Sequence, residues 1–357
     1  MLMDGFTALN TLCRAFAEVR REEQLEISLK EVQRTANEVL VFTKKNQRAN
    51  ALGLVASVVQ LVFFELFAGE SCAWKVHLDA AIDMYAKGRR DGLANYNLNQ
   101  KSKKLLYEDS VLGDFTVEDD GPTIVHEVVT FRFVGATVIW LDLISSITAG
   151  TSPRLLQYHP GAFREESQVK FEDVVGCPNA VALEMGRIAY MHDQITQEQE
   201  QGLLAGSNNK YRDEAARIYR SLETFMQTIR TTSMIPFTSR IFAYASLVYL
   251  HLVTDGFKET DRLGYVVCAA IQDIQKEGYG QAITAVICPL FIIGCIARQG
   301  EEQQLFRGLL SSRPITGHLP KHRDRILPIL EEIWSRKGLP SFVWNDVIRM
   351  TTGVLLV

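Results

Sequence analysis

Residues 282–297, AITAVICPLFIIGCIA, and residues 51–68, ALGLVASVVQLVFFELFA, are almost wholly apolar. Gln60 and Glu65 interrupt the second stretch, and neither reaches the roughly 20 residues that a bilayer requires. Both therefore read as helices buried at the centre of a water-soluble fold rather than as membrane spans. The first also carries Pro289, and Pro328 lies in a later helix; each proline predicts a kink or a helix start.

Outward from these segments the helical period continues. Leu25, Leu29, Val32, Ala36, Val39 and Thr43 recur at steps of three and four, the apolar stripe of a surface helix. Further helices are predicted near 6–20, 71–87, 123–149, 179–200, 211–231, 237–254, 258–277, 301–311, 321–337 and 342–356. No run alternates with period two for long enough to argue for a sheet. The expected fold is all-α: a single domain over 1–357, with about a dozen helices around buried apolar central ones and an internal apolar pocket. Residues 88–122 and 150–178 are rich in polar residues, glycine or proline and are expected to be irregular; loops of that length are often functional.

Composition excludes some classes of function. The chain has 357 residues, 38 basic and 42 acidic, for a formal charge of −4. That balance argues against nucleic-acid binding through bulk charge. At 47% hydrophobic residues the chain does not have the composition of a disordered protein. Six cysteines, at 13, 72, 177, 268, 288 and 295, form no CxxC pair. Cys288 and Cys295 would stand about 10 Å apart along one helix, beyond disulfide reach. With no signal peptide at the start, an intracellular, reducing home is expected, cytoplasmic for an enzyme and nuclear for a regulator.

Nucleotide-binding, hydrolase-elbow and zinc-protease motifs are absent, so no cofactor is expected. His318 and His322 have helical spacing but lack the further ligands that zinc requires, and no metal is expected. Polar residues inside apolar helices are more informative, because a buried polar group must be paired or put to use. Arg240, Tyr244 and His251 share one stripe of SRIFAYASLVYLH. Glu184 shares a face with Ala180 and Arg187 in NAVALEMGRIAYMHD. Arg132 and Asp142 lie ten residues apart in one helix and point to different faces. Each set suits either an internal hydrogen-bonded network or the polar lining of an apolar pocket.

Six segments, in order, resemble the C-terminal regulatory domain of fungal binuclear zinc cluster transcription factors. They are HLDAAIDMY from His77, IWLDLISSITAGTSPRLL from Ile139, GCPNAVALEMGRIAYMHD from Gly176, FAYASLVYLHLV from Phe242, AVICPLFIIGCIARQGEEQQLFRGLL from Ala285, and ILEEIWSRKG…WNDVIRM near the end. The resemblance implies a fungal origin, frequent dimerisation and an apolar ligand-sized space. The zinc cluster itself is absent. Ala180 and Cys288 stand where the family pattern usually has tryptophan, a trade that is expected to enlarge the pocket unless neighbours repack.

Two functions follow as expectations. A ligand-sensing regulatory domain needs an output element, either in a longer chain or on a DNA-binding partner. The lack of such an element favours the other: a cofactor-free cyclase or isomerase of Diels–Alder type, acting on a hydrophobic terpenoid- or polyketide-like intermediate by orientation and hydrogen bonding. Its candidate catalytic residues are Tyr244, His251, Arg240 and Glu184, with Ala180, Arg187, Cys288 and Trp140 lining the pocket. Neither reading has the chain contact nucleic acid directly or cross a membrane. A purely scaffolding protein is the third reading.

Overall fold

The computed structural model describes residues 47–68, 73–90, 122–162, 170–202, 204–231, 235–277, 281–311 and 321–357. The expected helices over 6–20 and 22–46, nearly all of the irregular segment 88–122, Cys13, Cys72 and His318 lie outside them. Among the described residues there are thirteen α-helices, four short 3-10 segments and no strand. None of these helices is long and apolar enough to cross a membrane.

α1 (Gln47–Ala68) and α2 (Trp74–Arg90) pack together and against the long α3 (Pro122–Ala149). α4 (His159–Ala162) and α5 (Phe171–Val175) are short helices within a stretch expected to be irregular. α6 (Asn179–Glu200) and α7 (Leu204–Thr231) lead to α8 (Phe237–Thr254), which contacts α6, α7, α9 (Gly264–Glu277) and α10 (Ile287–Ile296). α11 (Glu301–Leu310), α12 (Ile326–Arg336) and α13 (Trp344–Thr351) close the domain, with α13 lying on α3 and α12.

The two apolar stretches differ in burial. Every residue of α10 is buried. α1 instead buries one face, through Val55, Val58, Val59, Val62 and Leu66, and leaves Gln60 exposed. Pro289 and Pro328 each fall in the first turn, of α10 and α12, where a missing N–H costs nothing. They start helices rather than kink them. The expected continuous helix over 282–297 is accordingly divided into a 3-10 turn, Gln281–Val286, and α10. The last predicted helix is shorter than its apolar pattern: α13 stops at Thr351, and Gly353 takes φ +84°. Val354, Leu355 and Leu356 are then buried in irregular backbone.

Asp142 ties the turn after α3 to the core. Its carboxylate, 2% exposed, accepts the backbone N–H groups of Leu155 at 2.8 Å and Arg154 at 3.2 Å. Burial pushes this carboxyl up to about 6, against the pull of those two bonds and of the Arg154 charge. The Arg154 guanidinium in turn reaches Asp79 and Asp83 of α2. Fully buried His159, held neutral by desolvation, fills the space above Gly186 of α6. A Cβ at Gly186 would stand 2.8 Å from His159 Nδ1.

Alanine normally stabilises a helix interior over glycine by about 1 kcal/mol. Here Gly186→Ala should instead lower the unfolding free energy by about 1–3 kcal/mol through overpacking. In a His159→Ala background the same change should be neutral or stabilising. Urea unfolding of the four proteins measures both, and a stabilising Gly186→Ala in the parent would contradict this packing.

Candidate functional site

Arg240 and Tyr244 are one turn apart on α8 and face α9. Asp273 of α9 receives both: Arg240 donates from Nε at 2.8 Å and from Nη2 at 3.0 Å, and the Tyr244 hydroxyl donates at 3.1 Å. Arg240 Nη1 donates to the Ile235 carbonyl at 2.6 Å, ahead of the helix. Burial, then the Asp273 charge, pushes the phenol up to about 12. The guanidinium is held above its ordinary value, chiefly by the hydrogen bonds that it donates to Asp273. Two of the expected site residues therefore do come together. Their meeting point is a carboxylate that joins two helices.

The other expected residues lie elsewhere. His251 Nε2 is 2.7 Å from the Lys258 carbonyl, which requires that this nitrogen carry the proton, and Nδ1 is 3.7 Å from Asp255. The ring fastens the turn after α8, about 10 Å of helix away from Tyr244. Glu184 is 3% exposed; one oxygen accepts from Arg187 at 2.8 Å, and the other accepts no hydrogen bond among the described residues. Trp140 is buried edge-on against Phe242 and Phe171, with ring centroids 5.3 and 6.5 Å away. Cys288 is buried, whereas Ala180 is exposed in the first turn of α6. Ala180 thus encloses no interior space, which corrects its expected place on a pocket wall beside Cys288. A small side chain at an exposed position leaves no void to enlarge.

Asp273 escaped the sequence reading because it sits in GYVVCAAIQDIQKE, an ordinary amphipathic helix where an acid reads as solvated. A faint signal existed: Ala270 and Ile274, its neighbours on the helix, are core residues. Two further features were also missed. A surface cleft of about 520 Å³ is lined by residues that include Phe257, Gln303, Arg307, Glu331, Trp334 and Lys337. Arg307 lies 5.0 Å from the Trp334 ring centroid and grips Glu331 at 2.5 and 2.9 Å, while Trp334 Nε1 donates to the Gly294 carbonyl at 2.7 Å. The second is an apolar gap under α13, lined by residues that include Phe291, Ile292, Trp344, Val347 and Ile348.

The Asp273 junction makes a specific prediction. Replacing one partner of a part-buried, hydrogen-bonded ion pair leaves the other uncompensated, so Asp273→Ala should destabilise by about 2–4 kcal/mol. A double-mutant cycle with Arg240→Ala should return a coupling above about 1 kcal/mol. Coupling near zero in urea denaturation would show that the pair contributes nothing to joining α8 and α9.

Residues 6–357 match the fungal specific transcription factor domain. The chain is 39% identical to pestheic acid cluster transcriptional regulator 3 of Pestalotiopsis fici, over 97% of this chain and 63% of that protein. It is 25% identical to the trichothecene biosynthesis transcription regulator TRI10 of Fusarium sporotrichioides, over 82% of this chain and 70% of that protein. A third relative, transcription factor dibT of Pestalotiopsis microspora, is 21% identical over 93% of this chain and 58% of its own length. The chain thus spans less than two thirds of its Pestalotiopsis fici relative. No solved structure matches it.

These relatives overturn the expectation of a cyclase or isomerase, because by name they are transcription regulators. The geometry supplies a physical reason. Arg240 and Tyr244 are directed at Asp273, His251 at a backbone carbonyl and Glu184 at Arg187, so the four candidate catalytic groups do not converge on a reacting position. By the match along almost its whole length, the chain belongs to the fungal specific transcription factor domain family.

Proposed function

We propose that this chain is the responsive part of a regulator that controls transcription of a fungal natural-product gene cluster from within the nucleus. The single observation that carries this reading is the collinear similarity to pestheic acid cluster transcriptional regulator 3, which extends over 97% of the chain. The charge of −4 agrees with a division of labour in which DNA is contacted by a separate element, not by this domain. That element belongs either to a longer form of the protein or to a partner.

The domain's contribution is then a change of state. A hydrophobic product or intermediate of the pathway binds, favours one packing of the helices, and alters the surface offered to a second copy or to the transcription machinery. A ligand shifts such an equilibrium only by its difference in affinity for the two states.

Deleting the gene should lower transcripts of the adjacent biosynthetic genes several-fold, and restoring it should recover them. Fusing the chain to an unrelated DNA-binding domain should change expression of a reporter carrying the matching site. Unchanged transcripts in the deletion strain, measured by RNA sequencing under producing conditions, would overturn the proposal.

A further inference from the structure

The surface cleft of about 520 Å³ lies where two helical stripes face each other. Glu331, Trp334 and Lys337 recur at steps of three along α12 and its C-terminal cap, so they share one side of that helix. Gln303 and Arg307 stand one turn apart on α11. Phe257 and Thr260, from the turn after α8, complete the lining. The volume lies within the range of small-molecule sites.

The aromatic walls are held in place by the protein itself. The Trp334 indole donates from Nε1 to the Gly294 carbonyl at 2.7 Å, and Arg307 stands 5.0 Å from the ring centroid. The Phe257 ring stacks on buried Phe342, with centroids 5.2 Å apart. Side chains that are already ordered lose little further freedom when a ligand binds.

The charges along the cleft do not balance. Arg307 directs its fork at Glu331, with Nε at 2.5 Å and Nη2 at 2.9 Å, so these two cancel. Lys337 is half-buried and has no carboxylate within ion-pair distance among the described residues. Its ammonium donates to the Ala297 carbonyl, which Gln303 Nε2 also approaches at 3.4 Å. The charge of Glu302 reaches Lys337 from further off, but that carboxylate is already bound by Arg298. An ammonium has three N–H donors, so two remain after the bond to Ala297. Burial holds Lys337 below its ordinary pKa, an effect that an anion in the cleft would oppose.

We propose that this cleft binds a planar aromatic carboxylate, with its ring system against Trp334 and Phe257 and its carboxylate on Lys337. An aromatic body suits the two fixed rings, and a single negative charge matches the one cation without an acidic partner there. The ligand would bridge α11, α12 and the turn after α8. This deepens the function proposed above and rests on it: the small molecule to which the domain responds is an apolar ring system carrying one carboxylate.

2-Naphthoate is a suitable probe, titrated into the full chain by isothermal calorimetry. One saturable site is expected. The neutral isostere 2-naphthamide should bind about tenfold more weakly or worse, since it loses a charged hydrogen-bond acceptor. Decahydro-2-naphthoate keeps the charge but not the aromatic ring, and should bind about threefold more weakly or worse. Lys337→Gln keeps a donor for Ala297 and removes the charge; it should weaken 2-naphthoate about tenfold and leave 2-naphthamide unaffected. A thermal melt checks that this variant is folded, and if it is not, the comparison of the two probes on the parent chain decides.

Absence of saturable 2-naphthoate binding would overturn the site. Equal affinity for the acid and the amide would do the same, as would full affinity in folded Lys337→Gln. Equal binding of the saturated acid would overturn the aromatic assignment. These results are separable from the transcript measurement. No binding in a chain whose deletion lowers transcripts refutes the cleft alone. Binding in a chain whose deletion leaves transcripts unchanged refutes the regulatory reading, and with it the cleft's role, while the binding site itself stands.

Discussion

The domain is organised by helices that have no side facing water. From Ile241 to Leu250 in α8, and throughout α10, every residue is buried. A helix in that position can keep its backbone satisfied internally, but any polar side chain on it must find a partner within the protein. At the rim of this core, Arg240 and Tyr244 meet that demand on Asp273, and Asp142 does so on the turn after α3. Their positions on apolar helices follow from what they connect. Polar groups that punctuate a hydrophobic run look catalytic in a sequence for the same reason that they act as ties in the fold.

The helices were legible because their cause is local. Periodicity of three and four residues, Pro289 and Pro328 near helix starts, and the absence of alternating runs all survive without knowledge of tertiary contacts. Where tertiary context intervened, the reading failed. The final apolar run TTGVLLV looked like continued helix, yet Gly353 at positive φ ends it and sends Val354 to Leu356 into the core as irregular backbone. α1 looked as buried as α10, although its Gln60 faces solvent.

The site was less legible than the fold. Arg240 and Tyr244 could be picked out as a pair, but the carboxylate that unites them lies 29 residues beyond Tyr244, in a helix whose acids all look solvated. Ala180 stood out because the family pattern usually has tryptophan there, but only three-dimensional packing shows it to be exposed. Tyr249 and Trp344 read as ordinary aromatic residues in the sequence, although among the described residues their polar hydrogens find no acceptor. Such an absence is a property of the packed interior and leaves no trace in spacing or composition. The family resemblance was the part of the functional reading that held. The preference for a catalyst rested on the lack of an output element, and three of the side chains assigned to its chemistry, Arg240, Tyr244 and His251, are already engaged by partners.

The central claim is that this domain acts on transcription. Chromatin immunoprecipitation of the tagged chain from a producing culture tests it most directly. The account predicts enrichment at promoters of the biosynthetic genes adjacent to its own, whether the chain reaches them through its own longer form or through a partner. No enrichment at any of those promoters, in a culture where the tagged protein is abundant and the pathway is running, would contradict it.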